Sequence, residues 1–93
     1  MAFKQITKYT SEDFGQYIKW KRVSQGETLR NMAMKLGITP AYLSDMEKSC
    51  RHAPVANAEL MRKMIEVLSI TNREEFCLMA IATRGWDFSY LNE

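Results

Sequence analysis

The chain has 93 residues, of which 46% are hydrophobic and 26% are charged, and its formal net charge at pH 7 is +2. This composition is typical of a globular domain and argues against wholesale disorder, and the length permits a single core. The sequence has no apolar run of about 18 residues, which a membrane span would need, and no apolar signal-peptide core at its start. We therefore expect a small cytoplasmic protein without a membrane association.

Residues with catalytic or metal-binding chemistry are few. The two cysteines, Cys50 and Cys77, lie far apart in sequence, and the single histidine, His52, is near only one of them. This spacing predicts neither a disulfide nor a zinc site, and no acidic residue is in place to orient the histidine for nucleophilic catalysis. We therefore expect no metal, no cofactor and no enzymatic activity.

The charged residues are unevenly distributed along the chain. Residues 1–54 carry nine Lys and Arg against five Asp and Glu, whereas residues 55–93 carry four against six. An excess of positive charge suits contact with nucleic-acid phosphates, although a solvated face without a partner has the same pattern. The charge distribution by itself leaves both interpretations open.

The amino-terminal part predicts an arm followed by a helix. Residues 1–10 form the arm, whose lysines suit a minor groove and whose apolar residues suit packing on a later helix; the sequence does not choose between these roles. Phe14, Ile18 and Val23 are predicted to give the first helix its apolar face. This helix would cover the core of the domain.

A second helix is predicted after Thr28, a residue type that caps free backbone amides. Met32 and Leu36 lie on one helical stripe, and Ala33 is small enough for two helices to cross closely. Gly37 stands where the end of a helix favours a left-handed residue. The second helix is thus predicted to end in a tight turn.

A third helix is predicted immediately after this turn. Thr39 is suited to cap it, and Pro40 fits the first helical position because its missing N–H is not needed there. Leu43 and Met46 are expected to point toward the core. The outward residues, at i, i+3, i+4 and i+7, are Ala41, Ser44, Asp45 and Lys48.

Two further helices are predicted downstream. The apolar spacing of residues 57–68 predicts a fourth helix. Residues 71–74 have the capping-box pattern, in which Thr71 would cap a fifth helix that starts near Asn72. This helix would run to Thr83 and end at Gly85.

The fifth helix is apolar around more of its circumference than a surface helix should be, so it needs two packing partners. One is the core of the domain. The other is either the tail, residues 86–91, folded back on the helix, or a second copy of the chain, and the sequence gives both equal weight. Candidate dimer contacts are Phe76, Met79, Ile81 and Trp86.

The second and third helices together predict a helix-turn-helix unit. A simple helical hairpin used for packing is the alternative, but the turn glycine, the capping threonine, the proline and the apolar positions all agree with the DNA-binding motif. Residues 37–48 resemble the turn and recognition helix of the Xre/Cro-like, phage-repressor-type family, and the resemblance covers about residues 14–70. It implies an all-α, five-helix repressor-like domain with the helix-turn-helix at helices 2 and 3, in which residues 11–70 are the DNA-binding part. Residues 71–93 would be a packing or dimerisation element of the same domain.

The resemblance implies a bacterial or phage-encoded transcriptional regulator, most often a repressor, that binds an inverted-repeat operator in double-stranded DNA as a homodimer. In this interpretation the four outward residues of the third helix read bases. The expected phosphate contacts are Thr28, Arg30, Thr39, Tyr42 and Arg51, with packing of the Tyr42 ring on the motif as an alternative. Arg22 and Glu47 match positions that form an ion pair in the family; two solvated surface charges are the alternative.

Other functions are consistent with the same residues. An antitoxin or a regulator of a mobile element would use its carboxy-terminal part to bind a toxin or another protein. An RNA-associated or protein-binding adaptor with this fold is a third alternative, because a fold does not determine a function. An adaptor would bind nucleic acid without sequence preference.

Overall fold

The computed structural model describes residues 9–84, and regular structure in this range is entirely helical. The five helices, numbered here in chain order, are α1 Asp13–Ser24, α2 Leu29–Leu36, α3 Pro40–Glu47, α4 Ala58–Val67 and α5 Arg73–Ala82. The prediction of an all-α fold is confirmed for this part of the chain. Residues 1–8 of the predicted arm, the predicted helix end at Gly85 and the dimer candidate Trp86 lie outside the described residues. No helix within residues 9–84 is long and apolar enough to cross a membrane.

The ends of α2 and α3 follow the local chemistry of the sequence. The hydroxyl oxygens of Thr28 and Thr39 accept hydrogen bonds from the third backbone N–H beyond each of them, at 3.1 Å in both helices. Gly37 ends α2 with a φ of 73°, the left-handed conformation that costs glycine little. Pro40 is the first residue of α3. The predicted caps and turn of this unit are confirmed.

The cap of α5 differs from the prediction. The side chain of Asn72, and not that of Thr71, accepts the capping hydrogen bond, from the backbone N–H of Glu75 at 3.0 Å. Asparagine caps a helix at least as well as threonine, so the helix begins one residue later than a Thr71 cap would place it. The capping-box prediction for Thr71 is therefore wrong, although a helix does begin close to the predicted place.

The core lies where the five helices meet. Helix α1 packs against α3 and α5, and α2 packs against α3 and α4. The rings of Phe14 and Phe76 lie 5.2 Å apart between their centroids and join α1 to α5. The largest fully buried side chains are Phe14, Ile18, Met32, Leu36, Leu43, Met46, Met64, Leu68 and Phe76.

The predicted apolar face of α1 is wrong at one position. Phe14 and Ile18 are buried, but Val23 is 56% exposed. Val23 follows Ile18 by five residues, which turns it by roughly 140° away from the buried face at 3.6 residues per turn. Tyr17 instead packs against the edge of the core on this helix.

Gly15 allows α1 to approach the end of α3 closely. A Cβ atom on Gly15 would lie 2.5 Å from the carbonyl oxygen of Met46 and 2.7 Å from that of Glu47. Both neighbours are backbone atoms, which cannot move aside as a flexible side chain can. The absence of a side chain at this position therefore sets the distance between the two helices, a role that our sequence analysis did not assign.

Candidate nucleic-acid interface

The four predicted base-reading residues lie on the side of α3 that faces away from the core. Leu43 and Met46 are each 1% exposed and hold the opposite side of the helix in the interior. Ala41 and Lys48 are exposed, and the other two are half-buried. With their spacing of i, i+3, i+4 and i+7, these four side chains form one stripe, which we call the α3 face: Ala41, Ser44, Asp45 and Lys48.

Three of the expected phosphate contacts stand at the starts of α2 and α3. Thr28 and Arg30 are exposed at the start of α2, and Thr39 is exposed at the start of α3. Each threonine oxygen already accepts a capping hydrogen bond, so its O–H remains to donate to an anion. The first backbone N–H groups of both helices add partial positive charge at the same places.

Arg51 and Tyr42 form a stacked pair beside the α3 face. The guanidinium carbon of Arg51 lies 4.5 Å from the centroid of the Tyr42 ring. Tyr42 is half-buried against the core, whereas Arg51 is exposed. Stacking over the ring limits the conformations of the arginine, and the N–H groups of a stacked guanidinium can still donate hydrogen bonds in its plane. The Tyr42 ring thus packs partly against the core, the phosphate contact of Tyr42 stays a prediction, and our sequence analysis missed that the ring supports Arg51.

The loop that carries Arg51 is attached to α5 by a buried threonine. The Ala53 N–H donates to Oγ1 of Thr83 at 2.8 Å, and the Thr83 hydroxyl donates to the carbonyl of Ala80 at 2.6 Å. Thr83 is 8% exposed. Because the partners are separated by 30 residues, no local pattern in the sequence indicates this contact. The end of α5 thus helps to position the loop beside the α3 face.

Arg22 and Glu47 form a two-point ion pair that joins α1 to the end of α3. Nε of Arg22 lies 2.7 Å from Oε2 of Glu47, and Nη2 lies 3.0 Å from Oε1. Nη1 donates to the carbonyl of Glu27 at 2.9 Å, which also holds the segment before α2. The hydrogen bonds to Glu47 raise the pKa of Arg22 above its ordinary value, although burial acts in the opposite direction. The pair expected from the sequence is present, and it orients α3.

The charged groups near the α3 face are mostly basic. Lys48 and Arg51 are exposed there, and Arg30 is exposed at the start of α2. Lys35, by contrast, forms an ion pair with Glu27. Asp45 is the acidic residue of the α3 face and would repel a phosphate unless it meets a hydrogen-bond donor on a base. Residues 9–84 contain no group of three His, Cys, Asp or Glu side chains arranged to bind a metal ion.

Two of the dimer candidates are corrected by the structure. Phe76 is 0% exposed and Met79 is 4% exposed, so both side chains belong to the core of their own chain. A second chain could reach them only if this core opened. Ile81 is half-buried at the surface of α5, in a groove described below.

No protein-family model, curated protein or solved structure matches this chain. The resemblance to the Xre/Cro-like family therefore has no support from these comparisons. Three features of the chain itself favour a nucleic-acid interface: the turn at Gly37, the outward residues of α3 and the basic groups around them.

Proposed function

We propose that this protein is a sequence-specific, double-stranded DNA-binding transcriptional regulator of the Xre/Cro-like type, acting as a repressor. The observation that carries the proposal is the α3 face, which combines small and polar side chains on a short helix whose other side is anchored in the core. A helix of this kind fits the major groove, where base edges present distinct donors, acceptors and methyl groups. The turn at Gly37 and the Arg22–Glu47 pair support the proposal because they hold the helix in one orientation.

The side chains of the α3 face suit different base contacts. Ala41 would touch a thymine methyl group, and Asp45 would accept a hydrogen bond from a cytosine amino group. Ser44 and Lys48 would reach neighbouring bases or a phosphate. Because Pro40 and Ala41 donate no side-chain hydrogen bond, discrimination within one half-site would be moderate. A homodimer on an inverted repeat would supply the remaining specificity.

Contacts to the DNA backbone would fix the orientation of α3 in the groove. The starts of α2 and α3 bring backbone N–H groups together with the Thr28 and Thr39 hydroxyls. Arg30 would reach a phosphate on the α2 side, and Arg51, stacked on Tyr42, would reach one on the loop side. Such contacts add affinity for any sequence, whereas base contacts add specificity.

The first experiment is selection of fragmented genomic DNA from the host on the purified protein at physiological salt, followed by sequencing. We expect enrichment of an inverted repeat whose half-sites lie one helical turn apart, about 10 base pairs. The Ala41→Ser, Asp45→Ala double variant should lose this enrichment or change the preferred bases. A matched double variant at exposed sites away from α3, Ala56→Ser with Glu74→Ala, should retain it.

Two results would contradict the proposal. One is the absence of any enriched sequence, which would favour a protein-binding role such as an antitoxin. The other is equal enrichment by the protein and by the α3 double variant, which would mean that α3 does not read bases. Binding that depends on salt but not on sequence would favour an adaptor.

A further inference from the structure

An open apolar groove of about 740 Å³ lies between α4 and α5. We call it the α4–α5 groove; its floor and walls include Met61, Ile65, Ile70, Cys77 and Ile81. Its volume lies within the range of roughly 300 to 1,000 Å³ that is typical of ligand pockets. Its lining residues come from α4, α5 and segments next to them, so it lies apart from the α3 face.

The chain itself supplies a segment with matching chemistry. Residues 86–90 read Trp-Asp-Phe-Ser-Tyr, with an aromatic residue at every second position. In an extended segment, alternate side chains point to the same side, so Trp86, Phe88 and Tyr90 would share one face and the polar Asp87 and Ser89 the other. Helical spacing would instead separate Phe88 from the other two. The pattern is that of an extended segment with one apolar face.

The length and position of this segment fit the α4–α5 groove. On α5 the groove is lined by Arg73, Cys77 and Ile81, each four residues apart, which corresponds to about 12 Å along the helix at 1.5 Å per residue. Four extended steps from Trp86 to Tyr90 cover about 13 Å. The segment begins five residues after Ile81, at the end of the groove, and Gly85 between them permits a sharp reversal.

The groove lining and the carboxy-terminal residues carry net charges of opposite sign. Two of the three charged residues in the groove lining, Arg62 and Arg73, are basic, and Glu66 is acidic. The segment and the residues after it carry two acidic residues, Asp87 and Glu93, and no basic ones. Because the segment is joined to α5 by a short connection, its effective concentration at the groove would be in the millimolar range, above that of a separate molecule.

We propose that residues 86–90 bind in an extended conformation to the α4–α5 groove of the same chain, with Trp86, Phe88 and Tyr90 directed into it. The segment then covers the apolar side of α5 and makes no contact with the α3 face. The proposal does not depend on DNA binding. It also means that dimerisation, if it occurs, uses a surface other than this groove.

Cys77 provides a direct test because it lines the α4–α5 groove and is exposed in the described structure. In a Cys50→Ser background it is the only thiol, and its reaction rate with a colourless disulfide reagent reports whether the groove is covered. A segment that occupies the groove about nine-tenths of the time would slow this reaction about tenfold. The reference is the same protein with Trp86→Ser, Phe88→Ser and Tyr90→Ser, which should react at the fast rate.

A polar-face variant, Ser89→Ala, is the matched control and should keep the slow rate. As a second readout, Trp86 becomes the only tryptophan in a Trp20→Phe variant, and its fluorescence emission should be blue-shifted in the native protein and red-shifted in denaturant. Protection of Cys77 should be independent of protein concentration, because the occupant belongs to the same chain.

Equal rates in the parent and the triple variant would overturn the proposal. Protection that disappears on dilution, together with a change from dimer to monomer in sedimentation, would also overturn it and assign the groove to a second copy. Neither measurement uses DNA, so a failure here is distinct from a failure to find an operator.

Discussion

Gly15 illustrates how one missing side chain positions the candidate recognition helix. Alanine at this position would place a Cβ within 2.7 Å of two carbonyl oxygens at the end of α3. Helix propensity favours alanine by about 0.5–1 kcal/mol, but the forced separation of two packed helices costs typically 1–3 kcal/mol. We expect Gly15→Ala to lower the free energy of unfolding by about 1–2 kcal/mol, measured by urea denaturation. Gln16→Ala, at an exposed site on the same helix, is the control, and a gain in stability for Gly15→Ala would refute this account.

The Arg22–Glu47 pair makes a second prediction at the scale of residues. The side chains are 12% and 6% exposed, so removing one partner leaves the other charge in a poorly hydrated site. We expect Glu47→Ala to lower the free energy of unfolding by about 3 kcal/mol. The Arg22→Ala, Glu47→Ala double variant should lose less than the sum of the two single losses.

The Glu27–Lys35 pair is the matched comparison, because the Lys35 side chain is 52% exposed. Its removal by Lys35→Ala should cost less than about 1 kcal/mol. Additive losses for Arg22 and Glu47 in the same denaturation experiment would show that the two charges are independent, as solvated surface charges would be.

At the scale of elements, Thr83 connects the end of α5 to the loop that carries Arg51. Thr83→Val keeps the shape of the side chain but leaves the Ala53 N–H without its acceptor. Such a buried unpaired donor costs about 1–3 kcal/mol, and we expect a loss of stability of this size. Thr83→Ser retains the hydroxyl and should lose less.

Hydrogen exchange gives the more specific measurement for this contact. The amide of Ala53 should exchange faster in Thr83→Val than in Thr83→Ser, after correction for any difference in global stability. Unchanged exchange at Ala53 would mean that the loop is held by other contacts. The prediction thus separates a local attachment from a general loss of packing.

At the scale of the whole molecule, the arrangement of charge makes a prediction about salt. If Arg51 contacts a phosphate, Arg51→Gln should weaken binding to all DNA sequences alike and reduce the slope of log affinity against log salt concentration by about one. Arg62→Gln removes an equal charge at the α4–α5 groove and should leave the slope unchanged. An unaltered slope for Arg51→Gln would exclude a phosphate contact at this residue.

The sequence by itself determined the features whose causes are local. The caps at Thr28 and Thr39, the turn at Gly37 and the buried residues of α2 and α3 were predicted because capping, left-handed turns and helical periodicity depend on residues a few positions apart. The stripe of the α3 face follows from the same periodicity. One prediction failed because two neighbouring residues, Thr71 and Asn72, can each cap the same helix. Another failed because the spacing of Val23 from Ile18 turns its side chain away from the buried face of α1.

Only the tertiary structure decided the features that join distant parts of the chain. The close approach at Gly15, the Thr83–Ala53 hydrogen bond and the Arg51–Tyr42 stack bring together groups on different elements, and the burial of Phe76 and Met79 depends on how α5 meets the other helices. The sequence indicates that a side chain is apolar, but it does not indicate which surface covers it. That choice depends on the packing of all five helices at once, since each buried face is completed by residues far away in the chain.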